Sequence, residues 1–160
     1  MALTCKTMIC KTKLFLMVLL SAFWSSAGAT DCNKECKLNQ VETYFTALAR
    51  VSRQGSSIED IASLLEAMHE DVKYIHFEYG ADFDKDKWRK AFIRNLNRNF
   101  YNKTNAHHAR VLRAIDGKSH IAVEYSHGVV KEDGVWHPEE PRLAVFGFSD
   151  GKISLVEELW

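Results

Sequence analysis

The stretch that decides the fold covers residues 57–79 and runs SIEDIASLLEAMHEDVKYIHFEY. Its first half repeats apolar residues every three or four positions, which predicts an amphipathic helix, and Ser56 stands three residues before Glu59 as a predicted capping box. From residue 72 to 79 the polarity alternates, which predicts a strand. A helix that enters a strand without a linker forms a wedge. Polar side chains inside that wedge, His76 first among them, are candidates for chemistry.

Two more helices flank this stretch. Apolar residues at helical spacing predict a first helix over residues 38–53. After a turn predicted at residues 80–84, Asp84 or Asp86 can cap a third helix. Two stripes are predicted to face the core. In the second helix the stripe contains Ile58, Ile61, Leu64, Leu65 and Met68, and in the third it contains Trp88, Phe92, Ile93, Leu96 and Phe100.

The second half of the chain changes to a period of two. It predicts strands over residues 107–115, 119–130, 142–148 and 152–160, joined by short turns, with Pro138 and Pro141 interrupting the segment before the third. Successive strands with short connections form an antiparallel meander. The order of elements predicts an α+β fold in which three helices pack on the concave side of a curved, barrel-like antiparallel sheet.

The N-terminus has the layout of a secretory signal peptide. Lysines precede an apolar run from Leu14, and small residues close the segment at Ala27, Gly28 and Ala29. The apolar core is shorter than the ~20 residues that a membrane-spanning helix needs. We therefore expect a leader over residues 1–29, a short segment over 30–37, one domain over 38–160, no membrane association after cleavage, and a periplasmic or secreted location. An uncleaved N-terminal anchor is the alternative.

Charge and cysteine content limit the partners. The leader holds three lysines and no acids, which leaves 18 basic against 21 acidic residues in the rest of the chain. A mildly acidic chain without a basic stripe argues against nucleic acid. Cys32 and Cys36 remain after cleavage, and an exported pair predicts a disulfide, with free thiols or an intermolecular bond as alternatives. Cysteines four apart in a regular helix are too distant to bridge, so the bond requires an irregular segment.

The histidines and glycines predict neither a metal site nor a cofactor. The seven histidines show no zinc-binding spacing. No glycine-rich phosphate loop and no nucleophile elbow occurs. Chemistry in this chain would therefore depend on its own acids, bases and phenols.

Four segments resemble the nuclear transport factor 2-like superfamily, which includes SnoaL-like polyketide cyclases and ketosteroid isomerase. They are residues 41–48, 58–72, 82–100 and 148–160, the last with a Gly-Lys-Ile turn and a closing tryptophan. The resemblance covers nearly the whole predicted mature chain and implies a cone-shaped α+β barrel with a pocket between helices and sheet. It also implies a homodimer through the outer face of the sheet. It does not specify an activity, because one fold hosts many functions.

The same resemblance nominates site residues. Aligned with ketosteroid isomerase, Tyr44 falls at the oxyanion-hole tyrosine and His76 at the catalytic aspartate, whereas Ala144 replaces the second acid. The missing acid argues against steroid isomerisation. A histidine opposite a tyrosine instead resembles the pair of dehydratases in the superfamily. We further predict a ligand pocket, whose residues are Tyr74, Trp88, Phe92, Tyr125 and Glu124. Glu124 could be a buried acid that steers a base or an exposed carboxylate, and the exposed position is favoured.

Three hypotheses for function follow. The first is an exported domain that binds a small, mostly apolar ligand. The second adds catalysis by a cofactor-independent lyase or isomerase, with His76 as base and Tyr44 as hydrogen-bond donor. The third is a non-catalytic dimerisation or protein-interaction module that uses the outer face of the sheet. His76 could equally contact ligand without chemistry, or be a hydrogen-bonded structural residue.

Overall fold

The computed structural model describes residues 32–103 and 108–160. The predicted leader and His107 lie outside these residues. The described residues contain three α-helices: α1 (Lys34–Val51), α2 (Ile58–Glu66) and α3 (Lys85–Asn97), the last followed by a 3-10 turn at Phe100–Lys103. No helix in the described part of the chain is long and apolar enough to cross a membrane.

The strands form one six-stranded sheet and one small hairpin. The sheet contains β1 (Lys73–His76), β2 (Ala81–Asp84), β3 (Arg110–Asp116), β4 (His120–Ser126), β7 (Arg142–Ser149) and β8 (Lys152–Glu158). The hairpin contains β5 (Gly128–Val130) and β6 (Trp136–Pro138). The order in the sheet is β2-β1-β8-β7-β4-β3, and every pair is antiparallel except β1 with β8. The α+β class and the curved sheet are confirmed, but the sheet is mixed, because β1 enters it beside the last strand of the chain.

The helices cover one face of the sheet and form the core with it. α1 packs against β3, β4 and β8, and α3 packs against β1 and β2. Alternate residues of the central strands point inward. The buried residues include Val41, Tyr44 and Phe45 of α1, Leu64 and Leu65 of α2, Trp88 of α3, Ile121, Val123 and Tyr125 of β4, and Phe146 of β7. Full burial of each large apolar side chain is worth about 1.5–3 kcal/mol.

A buried lysine, Lys37, joins α1 to the turn between β3 and β4. The ammonium of Lys37 lies 2.8 Å from the Asp116 carboxylate and donates to the carbonyls of Gly117 and Lys118 in the β3–β4 turn. Its side chain is 3 % exposed. A buried ammonium needs such partners, because desolvation of an unpaired charge is costly. The lysine thus sets the position of α1, which carries Tyr44 two turns later.

The first residues of α1 and α2 differ from the prediction. The capping box of α2 joins Ser57 and Asp60, not Ser56 and Glu59: each side chain accepts from the backbone N–H of the other residue. Ile58, at the first helical position, is consequently exposed rather than in the stripe. The helix α1 begins at Lys34, four residues earlier than expected.

The disulfide between Cys32 and Cys36 is formed, with the two Cα atoms 5.3 Å apart. Cys32 precedes Asn33, the N-cap of α1, whose backbone is extended, so only Cys36 is helical. This is the irregular geometry that a bridge between residues four apart requires.

Two strand predictions and one turn prediction were wrong. The strand predicted over 72–79 ends at His76, where residues 77–80 turn with Gly80 at φ 59°, and the predicted turn at 80–84 is instead the strand β2. The strand predicted over 119–130 divides at His127, because its last residues pair with β6, which contains Pro138. Phe100 follows α3 and is 68 % exposed. The alternation of polar and apolar residues along one segment does not show which strands pair with each other.

Candidate functional site

A cavity of about 500 Å³ lies between α1, α3 and the β1–β2 end of the sheet. Its wall is mainly aromatic. The rings belong to Tyr44, Tyr74, Tyr79, Phe83, Trp88 and Phe92. Besides the three phenols, its polar side chains are His76, Asn95 and Glu158. A concave, mostly apolar site with few convergent polar groups is the usual form of a small-molecule site.

Glu158, at the end of β8, is the centre of the polar group. It is 6 % exposed, and its two carboxylate oxygens accept hydrogen bonds from different phenols: Tyr74 at 2.7 Å and Tyr125 at 3.1 Å. The Tyr125 oxygen itself accepts from the indole N–H of Trp160 at 2.9 Å. Every hydrogen bond in this network is therefore directed toward the Glu158 carboxylate, as a buried acid requires.

His76 lies beside this carboxylate at the end of β1. Its side chain is 3 % exposed, with Nε2 at 3.7 Å from Glu158 Oε2. Neither ring nitrogen has a hydrogen-bond partner among the described residues. Tyr79 stacks on the ring with centroids 4.2 Å apart, and Trp160 meets it edge-on at 4.5 Å. A buried imidazole with both nitrogens free is unusual for a structural histidine, because buried polar atoms are nearly always bonded.

No family model and no curated protein matches this chain. Solved structures do match its fold. TerC, co-crystallised with polyporic acid, aligns with a TM-score of 0.53 at 15% identity, over 78% of this chain and 91% of TerC. A nuclear transport factor 2-like protein of unknown function from Burkholderia pseudomallei gives 0.50 at 18% identity, over 78% and 90%. An epoxide hydrolase of the LEH-like type from M. tuberculosis gives 0.52 at 14% identity, over 78% and 81%.

The chain has the nuclear transport factor 2-like fold. At these identities the likeness concerns the backbone alone. The chemistry of the cone must be derived from its own side chains.

Three phenols of this nuclear transport factor 2-like fold, those of Tyr44, Tyr74 and Tyr125, have raised pKa values and stay protonated at neutral pH. Burial raises the pKa of Tyr44 well above its ordinary value, and the Glu158 charge raises it further. The same two causes, in the same order, raise the pKa of Tyr74 and of Tyr125. A protonated phenol is a hydrogen-bond donor. Tyr44 is thus available to donate to a ligand oxygen, whereas Tyr74 and Tyr125 already donate to Glu158.

The predicted site residues separate into three groups. His76, Tyr44, Tyr74, Trp88 and Phe92 meet in the cavity. Tyr125 is fully buried outside the cavity lining and donates a hydrogen bond to Glu158. The ligand-contact prediction for Glu124 is corrected, because Glu124 lies on the outer face of β4 with its carboxylate 3.7 Å from Arg113. Inward and outward residues alternate along a strand, so the inward position of Tyr125 places Glu124 outside.

The sequence-based prediction missed Glu158, and an irregularity in β8 explains why. Gly147 pairs with Leu155 whereas Phe148 pairs with Ile153, so β8 has an extra residue at Ser154. An extra residue reverses the alternation of faces. Counting from the buried Ile153 would place Glu157 inside, but Glu158 is the buried acid. Glu158 pairs with Ala144 across the sheet. A carboxylate therefore lies on the strand next to Ala144, the position that the resemblance aligns with the second acid of ketosteroid isomerase.

No group of three or more histidine, cysteine, aspartate or glutamate side chains within residues 32–103 and 108–160 is arranged to hold a metal ion. The polar side chains that line the cavity are one imidazole, one carboxylate, one amide and three phenols. Imidazoles, carboxylates and phenols perform acid–base chemistry.

Proposed function

We propose that this chain is an exported protein that binds a small, apolar ligand in its cone and catalyses cofactor-independent proton transfer on it, as isomerases, dehydratases and cyclases do. The observation that carries the proposal is the buried His76 with two unbonded ring nitrogens, 3.7 Å from Glu158. TerC, which has a similar fold, was co-crystallised with a small molecule, polyporic acid, and this supports ligand binding as a use of the architecture.

The geometry assigns a role to each nitrogen of His76. Nε2 faces the Glu158 carboxylate, so the neutral ring is most stable with its hydrogen on Nε2, which leaves the lone pair on Nδ1 as the base. When Nδ1 takes a proton from a ligand carbon, the imidazolium that forms is stabilised by the Glu158 charge. The electron pair of the broken C–H bond moves to the oxygen of the neighbouring carbonyl group and forms an enolate. Tyr44 donates a hydrogen bond to that oxygen. The proton then returns to another atom of the ligand.

Hydrogen–deuterium exchange tests this reaction without knowledge of the natural ligand. The probe is 2-tetralone, an uncharged bicyclic ketone whose size suits the aromatic wall and whose α-protons exchange through an enolate. In deuterated buffer, NMR should show exchange above the buffer rate, with saturation by the ketone. His76→Gln should abolish the excess, whereas His120→Gln, at an exposed histidine, should keep it. Wild-type exchange equal to that of His76→Gln would refute the proposal.

A second candidate function, self-association through the outer sheet face, is favoured by exposed apolar side chains there. Ile115 is 71 % exposed and Leu143 is 45 % exposed, and both line a surface depression of about 360 Å³ with Arg113 and Glu124. Exposed apolar patches mark interaction sites. We propose a homodimer through this face. Light scattering after size-exclusion chromatography should give a dimer for the wild type and a monomer for Ile115→Lys, and a monomeric wild type would contradict this.

A further inference from the structure

Trp160 contacts His76 and Tyr125, the phenol that donates a hydrogen bond to Glu158. Its indole N–H donates to the Tyr125 oxygen at 2.9 Å, and its ring packs against the His76 ring in a T-shaped contact with the centroids 4.5 Å apart. An indole nitrogen can only donate. The Tyr125 oxygen must therefore accept from Trp160, and the single hydrogen of that phenol is left for Glu158 Oε1 at 3.1 Å.

Arg142 in turn fixes Trp160. Its guanidinium carbon lies 3.7 Å from the centre of the indole ring, which is a close cation–π contact. Arg142 begins β7 and also borders the outer depression of the sheet. A continuous set of contacts thus runs from Arg142 through Trp160 and Tyr125 to Glu158.

We infer that Trp160 and Arg142 are positioning residues for the base His76, an inference that rests on the proposed function. Without the indole N–H, the Tyr125 hydroxyl is free to rotate and Glu158 loses a directed donor. Without the indole edge, the His76 ring loses one of the two aromatic groups that hold it. Both losses relax the arrangement in which Nε2 faces the carboxylate and Nδ1 stays free for the ligand.

Trp160→Phe tests the inference, and Trp136→Phe is a matched control. Trp136 also lies under an arginine, with Arg110 at 4.8 Å, and its indole N–H also donates to an oxygen, that of His108 at 3.1 Å. Trp136 belongs to the β5–β6 hairpin and is absent from the lining of the cavity. The two substitutions therefore remove the same kinds of contact at different places.

Two measurements distinguish positioning from stability. In 2-tetralone exchange, Trp160→Phe should lower kcat by about 10- to 100-fold with KM little changed, since a misplaced group costs rate rather than binding, and Trp136→Phe should leave both unchanged. In the ligand-free protein, long-range 15N–1H NMR reports which ring nitrogen of His76 carries hydrogen. The wild type should show hydrogen on Nε2, whereas Trp160→Phe should show a mixture. Arg142→Ala should move hydrogen to Nδ1 in a smaller fraction of the His76 rings than Trp160→Phe does. Arg142→Lys, which keeps a cation over the indole ring, should give the wild-type spectrum.

A Trp160→Phe protein with wild-type kcat and a wild-type His76 spectrum would overturn the inference. Should that variant fail to fold, Tyr125→Phe replaces it, because it keeps the ring, removes the hydroxyl and should give the same mixture of nitrogens. If the wild type does not catalyse exchange, the proposed function fails. The NMR comparison still decides independently whether Trp160 fixes the pair.

Discussion

Replacing Glu158 by glutamine removes the charge from the site and leaves its shape nearly unchanged. In the wild type, the carboxylate oxygen lies 3.7 Å from His76 Nε2. At an effective dielectric constant near 20, two unit charges at that distance attract by about 4 kcal/mol. That attraction is present only after His76 has taken a proton, so it lowers the barrier rather than strengthening ligand binding. A loss of this size corresponds to about a 10³-fold slower reaction.

The amide also changes the hydrogen bonds of the site. Tyr74 and Tyr125 each donate to one carboxylate oxygen, but an amide offers one oxygen and one NH₂ group. One phenol therefore loses its acceptor, at a cost of about 1–3 kcal/mol. Removal of a buried charge offsets part of that cost. We therefore expect Glu158→Gln to fold, with a urea midpoint near that of the wild type.

The assay is 2-tetralone exchange at several ketone concentrations, with urea unfolding alongside. Glu158→Gln should lower kcat by about 10²- to 10³-fold and change KM little. Glu124→Gln makes the same substitution on the outer face, where the side chain is 38 % exposed, and should change neither quantity. A folded Glu158→Gln protein with wild-type kcat would falsify the assignment of His76 and Glu158 as a catalytic pair.

Three further predictions concern stability, alkaline pH and access. Lys37→Met should lower the free energy of unfolding by about 3 kcal/mol, because it leaves the partners of a buried ammonium unpaired; Lys34→Met, at an exposed position of the same helix, should not, and equal urea midpoints would contradict this. Alkali should destabilise the fold from about pH 10 upward, because the unfolded tyrosines ionise there while the folded ones have raised pKa values and keep their protons. Ultraviolet titration should show delayed ionisation of Tyr44, Tyr74, Tyr101 and Tyr125, and ionisation of all tyrosines near pH 10 in the folded protein would contradict the burial argument. Tyr79→Ala should speed diethylpyrocarbonate modification of His76 several-fold, because Tyr79 covers that ring, whereas Phe77→Ala in the same turn should not; equal rates in both variants would contradict a covering role.

The helices and most of the sheet were predictable because their signals are local. The apolar stripes of α1 and α3 appear in the sequence at helical spacing, and the turns at Asp116 and Asp150 separate strands that pair as a meander. The pairing of β1 was not predictable. Its partners are β2, directly after it, and β8, at the other end of the chain. Residue alternation describes the two faces of a strand, and it carries no information about which edges meet.

The candidate site was predictable only in part, for a related reason. The resemblance nominated Tyr44 and His76, and both lie in regular elements, where spacing along the chain gives the direction of a side chain. Glu158 follows an extra residue in β8, so its direction depends on an irregularity that the residue pattern does not mark. Gly147 lies opposite this irregularity, where a side-chain carbon would come within 3.0 Å of Leu155. A glycine in a strand often marks such a bulge, and it was the one signal that could have located the acid.

The position of Glu158 also bears on which reactions the cone can support. An acid at Ala144 would lie where the resemblance places a second donor to a ligand oxyanion. The carboxylate of Glu158 instead accepts from two phenols and faces His76. Such a carboxylate cannot donate to a ligand oxygen, and its charge opposes an oxyanion placed beside it. It does stabilise a positive charge on the imidazole. The site therefore favours reactions in which the proton held by His76 is the principal charge to be stabilised, with Tyr44 as the donor to the ligand oxygen.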